Sequence, residues 1–193
     1  MNLRKLPLLT VLFAASVAAH AQAGLYGTVT AARLQSIAPP AGSTATTNSN
    51  INPIGGTVGI FYDFKSFGPV RLGVDGRGSI VRDNRGAFTS SDVFGARINS
   101  VEGGLRANIH VPWTILHPYV EGAAGYARTN YGTQYDLVGN MTYHGYVGLD
   151  VKLFPLLDIR AFEFGAGALS GGTPSRTYPE GSISTGIVLH LPF

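Results

Sequence analysis

The stretch Gly-Ser-Ile-Ser-Thr-Gly-Ile-Val-Leu-His-Leu-Pro-Phe, residues 181–193, decides the fold. Counted in twos, Ile183, Thr185, Ile187, Leu189, Leu191 and Phe193 form one series, and Ser182, Ser184, Gly186, Val188, His190 and Pro192 the other. The first series is mostly large and apolar, the second mostly small or polar. The period is therefore two and the stretch is a strand. A soluble sandwich could bury such a face, but the chain also begins with an export signal. Arg4 and Lys5 precede an apolar run over 6–19, and Ala19-His20-Ala21-Gln22-Ala23 follows. A basic start, a short apolar core and small residues at alternate positions mark a secretory signal peptide. Residues 1–23 are expected to be removed by cleavage after Ala23, with Ala21 as the alternative site, leaving 24–193 as one domain. The apolar run is shorter than the roughly 20 residues a helix needs to span a bilayer. The terminal strand therefore reads as the closing strand of a barrel whose apolar face meets lipid.

Working back along the chain, the same alternation recurs over 25–34, 55–64, 70–81, 96–111, 117–128, 141–153 and 157–169. Short turns are expected at 65–69, 112–116 and 154–156, and longer polar loops at 35–52, 82–92, 129–140 and 170–179. All the short turns then fall at one end, together with both termini. An even strand number closes an antiparallel sheet without a free edge. The expected fold is all-β: an eight-stranded antiparallel up-and-down transmembrane barrel with short periplasmic turns and longer outer loops.

The cost of exposing charge to lipid fixes which face is which. Val58, Ile60, Tyr62 and Phe64 oppose Phe61 and Asp63, and Val101, Leu105 and Ile109 oppose Glu102 and Arg106. A one-residue slip would exchange the faces, and each Arg or Lys near the bilayer middle would cost about 2–4 kcal/mol. The lumen is thus expected to hold Asp63, Arg71, Asp75, Arg77, Glu102, Arg106, Glu121, Asp150, Lys152 and Glu163. Arg160 has the opposite parity to Glu163 unless a bulge intervenes. Glu163 is expected inside, Phe162 and Phe164 outside, and Arg160 snorkelling to the headgroups. An eight-stranded barrel is filled by its own side chains, so these charges are expected to pair as a plug. The alternative is a narrow gated conduit in which pairs exchange partners.

The remaining chemistry is sparse. The chain has no cysteine, which removes disulfides, thiolate metal sites and Cys nucleophiles. His110, His117, His144 and His190 have lumen parity but no metal-ligand spacing. No catalytic, cofactor or metal site is expected. Of 14 basic residues the signal peptide takes Arg4 and Lys5, leaving 12 against 11 acidic ones, a net charge of +1. That balance gives no reason to expect a nucleic-acid partner. Tyr26, Tyr62, Tyr119, Tyr126, Tyr131, Tyr135, Tyr143 and Trp113 are expected to form aromatic girdles at the membrane interfaces.

This pattern resembles the small eight-stranded outer-membrane barrels, the OmpA-like transmembrane domain and its OmpX-like relatives, over 24–193. The signal peptide, the alternation and the terminal series Ile187, Leu189, Leu191 and Phe193 carry the resemblance. It implies that the terminal series is the assembly signal read by the barrel-assembly machinery. Pro192 departs from the aromatic or basic residue usual before the terminal Phe. It also implies residence among outer-membrane lipids of a Gram-negative-type bacterium, and a structural or surface-interaction role with outer loops open to a surface ligand. Lipid A deacylases of this fold would carry a His-x-Ser pair, which His144-Gly145-Tyr146 and His190-Leu191-Pro192 do not supply, so a non-enzyme is expected, with a lipid-modifying outer-membrane enzyme of the palmitoyltransferase kind as the lesser alternative.

Overall fold

The computed structural model describes residues 22–39, 45–88, 95–110, 113–133, 136–171 and 176–191. Nine strands follow in chain order: β1 Gln22–Ile37, β2 Ser49–Ile51, β3 Ile54–Phe67, β4 Val70–Asp83, β5 Ala96–Ile109, β6 Leu116–Thr129, β7 Val138–Phe154, β8 Leu157–Gly171 and β9 Arg176–Leu191. Eight are antiparallel neighbours in chain order, and β1 pairs with β9 from Ala23↔Leu191 to Leu34↔Glu180, closing the barrel. The short β2 adds to β1 alone, through Leu34↔Ile51 and Ile37↔Ser49. The expected architecture is borne out.

Alternation becomes an inside and an outside. Val58, Val101, Leu105, Met141 and Ile187 are more than half exposed, whereas Asp63, Asp75, Arg77, Glu102, Arg106, Glu121, Asp150 and Glu163 are all buried. A closed sheet with a continuous apolar exterior and a polar interior is a bilayer-spanning solution, because closure leaves no open edge of unpaired backbone groups facing lipid. Two hairpins at the turn end are as short as a sheet allows. Phe67↔Val70 leaves Gly68-Pro69 as the turn, with Gly68 at φ 58°, a conformation that favours glycine. Phe154↔Leu157 leaves Pro155-Leu156.

The strands run farther than the alternation suggested. β1 continues to Ile37, β2 occupies part of the expected first loop, and β9 begins at Arg176 inside the expected fourth loop. Inner-face residues there are apolar and pack together, which keeps the sheet ordered beyond the lipid-facing band. At the other end β1 starts at Gln22, and Ala23 pairs with Tyr62 and Leu191. The strand thus includes two residues ahead of the expected boundary at Gly24. Most of the expected signal peptide lies outside the described residues, as do Val111, Pro112, Tyr135, Pro192 and Phe193.

Candidate functional site

Among the described residues buried polar chemistry converges in the lumen, and each strand sets out its layers in sequence. From the turn end to the loop end, the inner face of β4 reads Arg71, Asp75, Arg77, Ser79 and Val81. That of β5 reads Arg106, Glu102, Ser100, Ile98 and Ala96. Charge gives way to hydroxyl, and hydroxyl to hydrocarbon.

The ionic layer is built on three guanidiniums. Arg77 donates from Nη2 to Glu121 Oε2 (2.6 Å), from Nη1 to Glu163 Oε1 (3.1 Å) and from Nε to Asp75 Oδ1 (3.3 Å). Arg160 donates from Nε to Asp150 Oδ1 (2.9 Å) and from Nη1 to Glu163 Oε2 (3.1 Å). Arg106 donates from Nη2 to Asp150 Oδ2 (2.9 Å). Tyr26 donates to Asp75 Oδ1 (2.9 Å) and Tyr119 to Glu163 Oε2 (2.5 Å). Aromatic rings also carry the cations. The guanidinium carbon of Arg77 lies 3.8 Å from the Tyr146 ring centre, that of Arg160 4.3 Å from Tyr26, and that of Arg106 4.0 Å from Tyr119 and 4.4 Å from Phe61. Stacking explains how Nε and Nη1 of Arg106 are buried without a hydrogen-bond acceptor. Inner-face glycines make room for these rings: a Cβ at Gly59 would strike Tyr26 and one at Gly148 would strike Tyr119.

Two sequence expectations are corrected here. Arg160 does not snorkel to headgroups; it is fully buried at the centre of the ionic layer. Register shifts between Arg160 and Glu163 against β9, and between Leu149 and Asp150 against β7, mark a bulge that turns both charges inward. Tyr26, Tyr119 and Tyr131 are not girdle residues either, since all three are buried. Tyr62, Tyr126, Tyr143 and Trp113 do face outward, and Tyr135 lies outside the described residues.

Around this layer the other expected residues separate. Glu102 sits one step towards the loop end, accepting from Tyr146 Oη (2.7 Å) and Thr142 Oγ1 (2.8 Å) and facing His144 Nδ1 at 2.7 Å. Beyond it Thr30, Thr57, Ser79 and Ser184 form a hydroxyl cluster with oxygens 2.7–2.9 Å apart. At the turn end Asp63 accepts from Asn108 Nδ2 (3.0 Å). Asp158 there meets His117 Nδ1 at 3.1 Å and His190 Nε2 at 2.9 Å. Arg71 and Lys152, with His110, line a rim cavity of about 40 Å³ rather than joining the central layer. His110, beyond the end of β5, stacks on His117 at 4.4 Å. Its imidazole is held down to about 4, by burial first and by Arg71 next. Among the described residues no group of three or more His, Asp or Glu side chains is placed to hold a metal ion.

The loop end is closed by hydrocarbon. Ala32, Leu34, Ile37, Ile51, Val81, Ala96, Ile98, Ala127, Tyr131 and Leu169 form one buried cluster, with Phe88 and Tyr178 packed against it. Tyr131 donates to Asn140 Oδ1 (2.5 Å) and lies against Tyr178 at 4.7 Å. A second cavity of about 30 Å³ lies between this cap and the ionic layer and shares no lining residue with the rim cavity. The expected assembly-signal residues Ile187 and Leu189 face outward, and Leu191 ends β9.

No protein-family model and no curated protein matches the chain. Solved structures do. Neisserial surface protein A aligns at TM-score 0.58 and 10% identity over 86% of this chain and 96% of that one. Ail of Yersinia pestis aligns at 0.47 and 17% over 89% and 99%. The N-terminal barrel of OprF from Pseudomonas aeruginosa aligns at 0.44 and 12% over 87% and 97%. At these identities the likeness speaks to the fold alone. The chain has the fold of a small, closed eight-stranded β-barrel.

Proposed function

We propose that the protein serves in the outer membrane as a non-conducting barrel, a scaffold whose contacts with the outside are made by its loop end and lipid-facing wall. The apolar cap across the loop end of the lumen carries this reading. A conduit needs a continuous polar path, and this one is broken twice. The ionic layer separates the two small cavities, and the cap around Leu34, Ile98 and Leu169 stands beyond them. Moving an ion past the cap means dehydrating it among hydrocarbon side chains, which is prohibitive without opening the cap. The same filling argues against a lumenal active site, since neither cavity exceeds a few water volumes.

The experiment is single-channel recording of protein refolded into a planar bilayer, using material whose unboiled gel band shifts on heating. The expected result is silence over long recordings. Reproducible openings that change on replacing Arg106 or Glu102 would replace the scaffold reading with that of a gated conduit.

A further inference from the structure

Three arginines face outward at the loop end of adjacent strands. Arg82 on β4 and Arg97 on β5 are direct cross-strand partners. Arg128 on β6 pairs with Asn99 and so lies diagonally across from Arg97. All three are exposed. Like charges set opposite one another in a sheet repel, and among the described residues no carboxylate pairs with any of these guanidiniums. Each arginine stands equally far along its strand from the strand's turn end. From Val70 to Arg82, from Ile109 to Arg97 and from Leu116 to Arg128 is 12 residues in each case. At about 3.3 Å per residue and a tilt of about 45°, that is about 28 Å, close to the roughly 25 Å height of the apolar band of such a barrel. The arginines therefore stand together at one headgroup level, that of the loop-end leaflet.

Directly below them the wall is hollowed. A groove of about 660 Å³ runs over β3–β6, walled by Val58, Ile80, Val101 and Tyr126, with Arg128 at its upper end. Gly56 and Gly78 form its floor. In register, Val58–Gly78–Val101–Tyr126 is one outward row and Gly56–Ile80–Asn99–Arg128 the next. The following row holds Arg82 and Arg97. Hydrocarbon leads to a row holding the Asn99 amide and Arg128, and that row to Arg82 and Arg97. That sequence matches a lipid whose acyl chain continues into an anionic phosphate, which guanidinium forks bind through two parallel hydrogen bonds.

We propose that the loop-end face of β3–β6 is a binding site for a phosphate-bearing lipid of the outer leaflet, with an acyl chain in the groove and the phosphate bridging Arg82, Arg97 and Arg128. The phosphate would also remove the repulsion that the free arrangement carries. This site rests on the membrane-barrel reading above.

The test uses the whole mature protein in detergent micelles, checked for the heat-dependent gel shift, with native mass spectrometry counting retained lipid. Lipid A is the probe, its dephosphorylated form and inorganic pyrophosphate are the controls. Wild type should retain lipid A in preference to the dephosphorylated form. The Arg82→Gln/Arg97→Gln/Arg128→Gln variant should lose retention on the order of a hundredfold, at about 1 kcal/mol per basic residue. Gly78→Leu should fill the groove, because the nearest atom to a Cβ there is the Ser100 carbonyl oxygen at 3.9 Å. It should lower lipid A retention several-fold and leave pyrophosphate binding unchanged. Equal retention of both lipid A forms, or an unchanged triple variant, would overturn the site. Pyrophosphate bound with lipid A excluded would overturn it in favour of a free-anion patch. Absence of the gel shift in wild type would overturn the barrel reading itself, and the site with it.

Discussion

The two ends of the lumen are built from the same strands and do opposite things. At the turn end, inner faces carry Arg71, His110, His117, Lys152, Asp158 and His190 around a polar cavity. At the loop end, inner positions on β1, β5 and β8 carry Leu34, Ile98 and Leu169, which pack into one apolar cluster. One end is arranged to meet water and the other to exclude it. Between them, each arginine of the guanidinium layer has both a carboxylate and an aromatic ring. The contrast teaches that this barrel is filled in two chemically distinct ways, and that only the ionic filling depends on partners staying paired.

The largest expected effect follows from that dependence. Arg160→Ala leaves Asp150 and Glu163 each short of a cation in a dry layer and should cost about 3–5 kcal/mol. Urea unfolding of refolded protein in micelles would read it, and a cost near zero would mean the layer is hydrated. Truncating the cap removes contacts without stranding charge. Leu34→Ala, at a position with no exposure, should cost about 2–5 kcal/mol through lost burial and a residual cavity. It should also leave the ionic layer's geometry intact. Comparing the two variants in the same urea series sharpens the contrast, because the cap loss should scale with the volume removed and the ionic loss should not. The smallest effect is at the turn end. The imidazole of His110 is depressed from 6.5 to about 4, so the unfolded chain takes up a proton before the folded one does. The stability it contributes is present above pH 6.5 and is lost as pH falls through about 4. His110→Gln should flatten the dependence of the urea midpoint over that interval, and an unaltered slope would mean that other groups set it.

Strand number, closure and the facing of most side chains were legible in the sequence because lipid punishes any other register. The alternation around Val58, Val101 and Leu105 admits no alternative that keeps Arg77 and Arg106 out of the bilayer. Arg160 was not legible. A bulge breaks the period of two, and nothing in Leu-Asp-Ile-Arg-Ala-Phe-Glu-Phe marks where the extra residue falls. Tyr26 and Tyr119 were misplaced for a different reason: a tyrosine near a strand end suits an interface girdle and a guanidinium equally, and only the lumen's shared geometry chooses. Their parity was the available clue, since Tyr119 lies on the same face as Glu121. The cap had a signal too. Continuing the inner parity of β1 and β4 gives Ala32, Leu34 and Val81, an apolar end on a polar face, but a polar loop composition nearby drew the boundary too early. The arginine cluster needed the register, because Arg82, Arg97 and Arg128 are far enough apart in sequence that only pairing makes them neighbours.

The most direct test of a barrel wet at one end and dry at the other uses its lack of cysteine. His110→Cys and Leu169→Cys, made singly in folded protein, would be exposed to a membrane-impermeant maleimide in detergent and timed by mass shift. The turn-end thiol should label rapidly, and the cap thiol should stay unmodified until the barrel is unfolded. Equal labelling of both in folded protein would contradict the closed loop end on which the account rests.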